Sequence, residues 1–229
     1  MNFFFFDLDG TLEDSRLDMV AAAQHVRSQL KLAARTYEQL VPHVNRGMRE
    51  LYINCFNEYC LKSDSVVDED KLSEVESLYV KRYGSQIAVH TRLYSGIHDV
   101  LTQIKPNGRI AVITNKPEAL SVRLLEALNV SHLVDLVVGG DTCSEAKPSA
   151  LPLKHALVTL GGHAERDVVF MVGDSQGDAL AGERAGVHSV WCAWGYQSSA
   201  PTQPAPKHIA ITPQDLIEIF KKSGATISS

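Results

Sequence analysis

The sequence predicts an α/β protein, a parallel sheet with helices on both faces, interrupted just after its first strand by an all-helical insert. Three observations carry this expectation. "FFFF" (Phe3–Phe6) is a short, wholly apolar aromatic run that ends at a glycine turn, as a strand buried on both faces does. From about Asp14 to His90 the apolar residues keep helical spacing and no strand stands out. After Tyr94-Ser95-Gly96 short apolar runs alternate with helical stretches, the pattern of strand–helix–strand units in a parallel sheet. Residues 1–13 and 91–229 are therefore expected to form the α/β core, with 14–90 as the insert.

In the insert, Met48, Leu51, Tyr52, Cys55, Phe56 and Tyr59 follow the i, i+3, i+4, i+7 stripe of one helix, and Leu72, Val75 and Tyr79 begin another. In the core, Arg109–Thr114 is expected to be a strand, followed by a helix marked by Leu120, Leu124, Ala127 and Leu128. "LVDLVVGG" supplies the next strand and Ser149–Leu160 a helix. "DVVFMVG" gives a strand, Asp178–Ala185 a helix and "HSVWCAW" a last strand. The Pro-rich stretch "SSAPTQPAP" reads as a surface loop before a final helix, and no internal repeat is present.

Bulk properties exclude several classes. At 229 residues the chain can bury a real core. A net charge of −5 gives no electrostatic footprint for nucleic acid or an anionic membrane. No apolar run approaches the roughly 18 residues of a membrane-spanning helix, and no basic region precedes the first apolar run. A cytoplasmic protein is expected. Cys55, Cys60, Cys143 and Cys192 form no CxxC pair and read as reduced thiols, and the nine histidines show no zinc-ligand spacing.

In open parallel sheets ligands bind beyond the carboxyl ends of the strands. The first strand ends in Asp7, Asp9, Gly10 and Thr11, and the next in Thr114, Asn115 and Lys116. After the third, past a Gly-Gly turn, comes Lys147-Pro148; the fourth ends in Gly173, Asp174, Ser175 and, one turn on, Asp178. Each cluster alone has an ordinary explanation as a helix cap, a turn or a solvated charge. Four together supply the parts for phosphoryl transfer through an aspartyl phosphate: a carboxylate nucleophile, an acid/base, donors for phosphoryl oxygens and a site for a hard cation. Mg²⁺ takes few carboxylates and keeps several waters, so Asp7 and Asp174 with an oxygen near Asp9 would suffice to hold it. Unless a cation offsets them, Asp7 and Asp9 would raise each other's pKa.

"DLDGTL", "VITNK", "AKPSALPL" and "VGDSQGD", in this order, resemble the four motifs of the haloacid dehalogenase superfamily, and "LYSGIHDVL", "LVVGGD" and "VWCAWGY" are similar to its phosphoglycolate phosphatase-like branch. The resemblance covers nearly the whole chain. It implies a Rossmann-like core, an inserted helical cap, Mg²⁺ and a small phosphorylated metabolite as substrate. It also implies roles: Asp7 as nucleophile and metal ligand, and Asp9 as general acid/base with its backbone carbonyl on the metal. Gly10, Thr114 and Asn115 would hold the phosphoryl group, Lys147 would neutralise nucleophile and phosphoryl oxygens, and Asp174, supported by Asp178, would bind the metal. Asp9 favours a hydrolase over a dehalogenase, and Gly173-Asp174 stands where related phosphomutases carry Glu-Asp. A phosphorylatable receiver module, the non-enzymatic alternative, would carry its aspartate on a later strand and lack the helical insert.

Two departures from the family pattern stand out, the first in the lysine loop and the second, which bears on selectivity, in the cap. Ala150 stands where a proline is common, with Pro152 following, and "VNRGMREL" matches the branch's specificity loop only loosely. Arg46, just before the expected helix at Met48, is the candidate receptor for a substrate carboxylate.

Overall fold

The computed structural model of the protein describes residues 1–44 and 47–227. The chain divides into two compact units, Met1–Asp14 with Leu93–Ser229, and Ser15–Arg92.

The first unit is built on strand β1 (Asn2–Phe6). Short strands β2 (Glu13–Asp14) and β3 (Arg92–Leu93) lie at the two junctions with the second unit. That second unit is helical: α1 (Arg16–Gln29), α2 (Tyr37–Val44), α3 (Met48–Cys55), α4 (Asn57–Cys60) and α5 (Glu69–Ser85). The first unit then continues with α6 (Ile97–Ile104), β4 (Gly108–Ile113), α7 (Glu118–Ala127), β5 (Leu136–Val138), α8 (Leu151–Thr159), β6 (Val168–Gly173), α9 (Gln176–Ala185), β7 (His188–Cys192), β8 (His208–Ala210) and α10 (Asp215–Lys222).

Six strands form one sheet in the order β5-β4-β1-β6-β7-β8, every pairing parallel. The fold is thus the Rossmann-like α/β core that the sequence predicts. β1 is central, which is why it can be four phenylalanines long: both faces and both edges are covered. Phe3 and Phe5 enter one core layer with Ala111, Ile113, Val138 and Met171. Phe4 faces the other way, its ring centroid 5.8 Å from Phe170 and 4.8 Å from Phe220 of α10. All four phenylalanines are fully buried. Phe4→Ala should cost about 3 to 5 kcal/mol through lost transfer energy and the cavity left beside the Phe170 and Phe220 rings, read as a lowered denaturant midpoint with an unchanged slope.

Register places the functional ends level with one another. Phe6 pairs with Val112 on one side and Val172 on the other, so the residues just past them emerge at one edge. From β1 the chain steps outward through β4 to β5, then returns to β6 on β1's other side. The reversal opens a crevice between the carboxyl ends of β1 and β6, where parallel sheets bind ligands.

Three expectations need correction. The helix expected from Met48 to Tyr59 is broken at Phe56 (φ −132°, ψ 30°). In a continuous helix the carbonyls of Asn54 and Cys55 would receive the N–H groups of Glu58 and Tyr59. They accept instead from Arg35 (2.9 Å) and Arg27 (2.5 Å), while Glu58 N–H turns to Asn57 Oδ1 (2.8 Å) and Tyr59 N–H to the Phe56 carbonyl (2.9 Å). The apolar stripe stays buried across the break at Leu51, Tyr52, Cys55 and Phe56. Second, β7 is not the last strand. β8 follows the Pro-rich loop, three residues at the sheet edge, too short to show a pattern and with Ile209 half exposed. Third, α9 starts at Gln176 and not at Asp178, because Ser175 caps it: the Ser175 hydroxyl accepts from Asp178 N–H (3.3 Å) while Asp178 Oδ2 accepts from Ser175 N–H (3.0 Å). Pro152 falls in the first turn of α8, where its missing N–H costs nothing.

Among the described residues no helix is long and apolar enough to cross a membrane. The four cysteines are free thiols.

Candidate active site

Asp7 is the first residue past β1, its N–H donating to the Val172 carbonyl (2.8 Å), which fixes its Cα against β6. Its carboxylate meets Lys147, with Nζ to Oδ1 at 2.8 Å. Lys147 comes from the loop between β5 and α8, is buried, and also donates to Asp178 Oδ1 at 2.6 Å. Asp178 Oδ2 takes hydrogen bonds from Ser175 N–H and Oγ–H (2.6 Å for the hydroxyl). Asp178 thus completes the helix cap and also turns a lysine toward Asp7.

Asp174 follows β6. Its Oδ2 accepts from Tyr196 N–H (2.6 Å) and its backbone carbonyl from the Trp191 indole (3.1 Å). Gly10, past β1, has φ +83°, and a Cβ there would lie 2.5 Å from Asp174 Oδ2. Any side chain at this position is strained in its backbone and collides with the acid. Gly10→Ala should therefore lower kcat/KM by roughly 10²-fold through displaced groups, with folding checked by circular dichroism.

Carboxylate oxygens of Asp7, Asp174 and Asp178 lie within 4.8 Å of one another. Burial, followed by the charge of Asp178, pushes Asp7 up to about 8 and Asp174 up to about 7. Lys147 is drawn down by burial, but Asp178 and Asp7 outweigh this and hold it raised and charged. One ammonium against three clustered carboxylates leaves negative charge uncompensated. An all-oxygen donor set of this kind suits a hard divalent cation.

Asp9 lies on the same edge, with Oδ1 2.5 Å from Nζ of Lys116, a buried lysine three residues past β4. Thr114 and Asn115 precede it. Thr114 N–H donates to the Val138 carbonyl (3.0 Å) and Asn115 Nδ2 to the Lys147 carbonyl (2.9 Å), tying the end of β4 to the lysine loop. The structure therefore gathers Asp7, Asp9, Gly10, Thr114, Asn115, Lys147, Asp174 and Asp178 at the carboxyl end of one sheet. Arg46 lies outside the described residues. Its neighbour Arg49 is held by Glu69 through two hydrogen bonds (3.0 and 2.6 Å).

Some contributions are not marked by sequence alone. Lys116 belongs to a strand-end cluster that the sequence marks, but its pairing with Asp9 is visible only in the structure. The segment past β7 is the fifth strand end at the site: the Trp194 indole donates to the Thr11 carbonyl (3.0 Å), and Tyr196 N–H to Asp174.

Comparison with known proteins shows the family. The profile of the family described as haloacid dehalogenase-like hydrolase matches residues 4–192. The chain belongs to that family. This haloacid dehalogenase-like hydrolase is 32% identical over 221 residues to a protein named phosphoglycolate phosphatase from Aquifex aeolicus (strain VF5), covering 96% of this chain and 97% of the relative. It is 35% identical over 196 residues to one of the same name from Chromobacterium violaceum, covering 85% and 86% of the two chains. Among solved structures it is similar to a predicted phosphoglycolate phosphatase from Haemophilus somnus 129PT, with 26% identity, a TM-score of 0.82, and 95% and 96% of the two chains covered.

Proposed function

We propose that this phosphatase hydrolyses a small phosphate monoester, with phosphoglycolate as the first candidate, through a phosphoryl group carried on Asp7. The observation that supports this reading best is the pairing of Asp7 with Lys147 at the crevice between β1 and β6. A carboxylate held rigid beside a buried cation is oriented to attack a phosphorus atom whose charge that cation offsets.

In the first step an Asp7 oxygen attacks phosphorus and the ester P–O bond breaks. The departing alkoxide takes a proton from Asp9 and leaves as the alcohol. In the second, water attacks the same phosphorus, its proton passes to Asp9, and the P–O bond to Asp7 breaks, releasing inorganic phosphate and restoring both carboxyl groups. Thr114, Asn115 and the backbone around Gly10 hold the phosphoryl oxygens, and Lys147 balances their charge. Asp7 and Asp174, with the Asp9 carbonyl and Asp178 at hand, would hold Mg²⁺, which when bound neutralises phosphoryl charge.

The test is a screen of the purified full chain with Mg²⁺ against phosphorylated metabolites, phosphoglycolate among them, measuring free phosphate. Steady release from one or a few esters is expected. A rearranged ester in place of phosphate would indicate a mutase, and a stable phosphoprotein without turnover a receiver; either would overturn the reading.

Asp9→Asn should keep its affinity for inorganic phosphate and lose about 10²- to 10⁴-fold in rate, the usual contribution of general acid/base catalysis. Titration calorimetry and steady-state kinetics separate the two quantities.

A further inference from the structure

We propose that Lys116 is the positioning residue of Asp9, an inference that rests on the phosphatase reading. The core holds two buried lysines at its catalytic edge, and they divide the two aspartates of the first motif between them. Lys147 reaches Asp7 at 2.8 Å, and Lys116 reaches Asp9 at 2.5 Å. The Lys116 side chain is 2% exposed and that of Asp9 17%. A rotation of Asp9 away from Nζ breaks an ion pair between a buried ammonium and a largely buried carboxylate, which the low-dielectric surroundings oppose.

The mount is as constrained as the contact. Lys116 N–H donates to Thr114 Oγ1 (3.1 Å), and its carbonyl accepts from Gly140 N–H (2.9 Å). Gly140 packs so closely on Asn115 that a Cβ there would lie 2.4 Å from the Asn115 carbonyl oxygen. The backbone at Lys116 is therefore clamped from both sides, and a four-carbon stem carries that position to Asp9. Both half-reactions need the Asp9 carboxyl in one place, first to give a proton to the alkoxide and then to take one from water. Lys116 holds it there without itself touching the reacting atoms.

The test uses leaving groups that differ in their need for a proton. The nitrophenolate of p-nitrophenyl phosphate departs as a stable anion, whereas the alkoxide of phosphoglycolate must be protonated. kcat/KM reports only steps through the first irreversible one, so it isolates the proton donation. In Lys116→Met, whose side chain keeps the length and loses the charge, kcat/KM for phosphoglycolate should fall about 10- to 100-fold, the cost of a misplaced catalytic group. For p-nitrophenyl phosphate it should change by roughly threefold or less, because that step needs no general acid. The dissociation constant for inorganic phosphate should not move.

The double variant Asp9→Asn/Lys116→Met removes both charges of the pair, so it keeps the comparison open even if the single variant folds poorly. It should match Asp9→Asn alone on phosphoglycolate, since a residue acting only through Asp9 has nothing further to lose. Equal losses on both esters, weakened phosphate binding, or a further tenfold loss in the double variant would overturn the assignment. A wild-type chain that releases phosphate from neither ester overturns the phosphatase reading itself and the role of Lys116 with it.

Discussion

Asp7→Asn is expected to abolish turnover, by roughly 10⁴- to 10⁶-fold, while leaving the fold intact. The amide has the carboxylate's shape and can still accept from Lys147, which keeps Asp178 as its ionic partner. It cannot form the acyl phosphate on which both half-reactions depend. The substitution also removes an acid whose charge is disfavoured by burial and then by the neighbouring Asp178. The metal-free variant should therefore melt at or above the wild-type temperature near pH 8. Catalysis and stability are predicted to move in opposite directions, which a merely disruptive substitution would not do. Wild-type phosphatase activity in this variant would remove Asp7 from the mechanism.

Removing the metal should be comparably severe. Chelation is expected to eliminate activity and Mg²⁺ to restore it, while Ca²⁺, larger and more loosely coordinated, should inhibit. The same acids give a readout independent of turnover. Asp7 and Asp174 hold their protons more tightly when folded, with values raised to about 8 and about 7. Their contribution to stability is thus fullest below the ordinary carboxylate range and is lost as pH rises through those values. In EDTA the melting temperature should fall between about pH 5 and about pH 8.5, and Mg²⁺, which binds the ionised carboxylates, should raise it more at the higher pH. Asp174→Asn should flatten this dependence and weaken the response to Mg²⁺. A melting temperature that ignores Mg²⁺ at both pH values would contradict a cation site at these residues.

Much of the fold was legible because its signals are local. Phe3–Phe6 could only be a strand covered on all sides, and alternating apolar runs marked a parallel sheet. The residues just past each strand then named Asp7, Lys147 and Asp174 as neighbours, since parallel strands deliver their carboxyl ends to one edge. The features that escaped depend on partners distant in sequence. The break at Phe56 is made by Arg27 and Arg35, which take two helix carbonyls from outside the helix. Edge strand β8 is defined by pairing with β7 and has no periodicity of its own. Lys116 is marked at its strand end, but its pairing with Asp9, which comes from a different strand, shows only in the structure. Trp191 and Trp194 pass for core aromatics, yet their indole N–H groups hold the Asp174 and Thr11 carbonyls.

The proposed mechanism stands or falls on a transient bond between phosphorus and Asp7. Asp9→Asn is the variant that exposes it, because water then attacks slowly and the phosphorylated protein should accumulate. The variant would be mixed with Mg²⁺ and p-nitrophenyl phosphate, whose leaving group needs no proton from residue 9, quenched in acid within the first turnover, digested and analysed by mass spectrometry. One phosphoryl group is expected on the peptide containing Phe3–Leu12, located at Asp7 and missing when Asp7→Asn is added. Phosphate release with no phosphorylated peptide at any quench time, or a phosphoryl group on another residue, would contradict the mechanism.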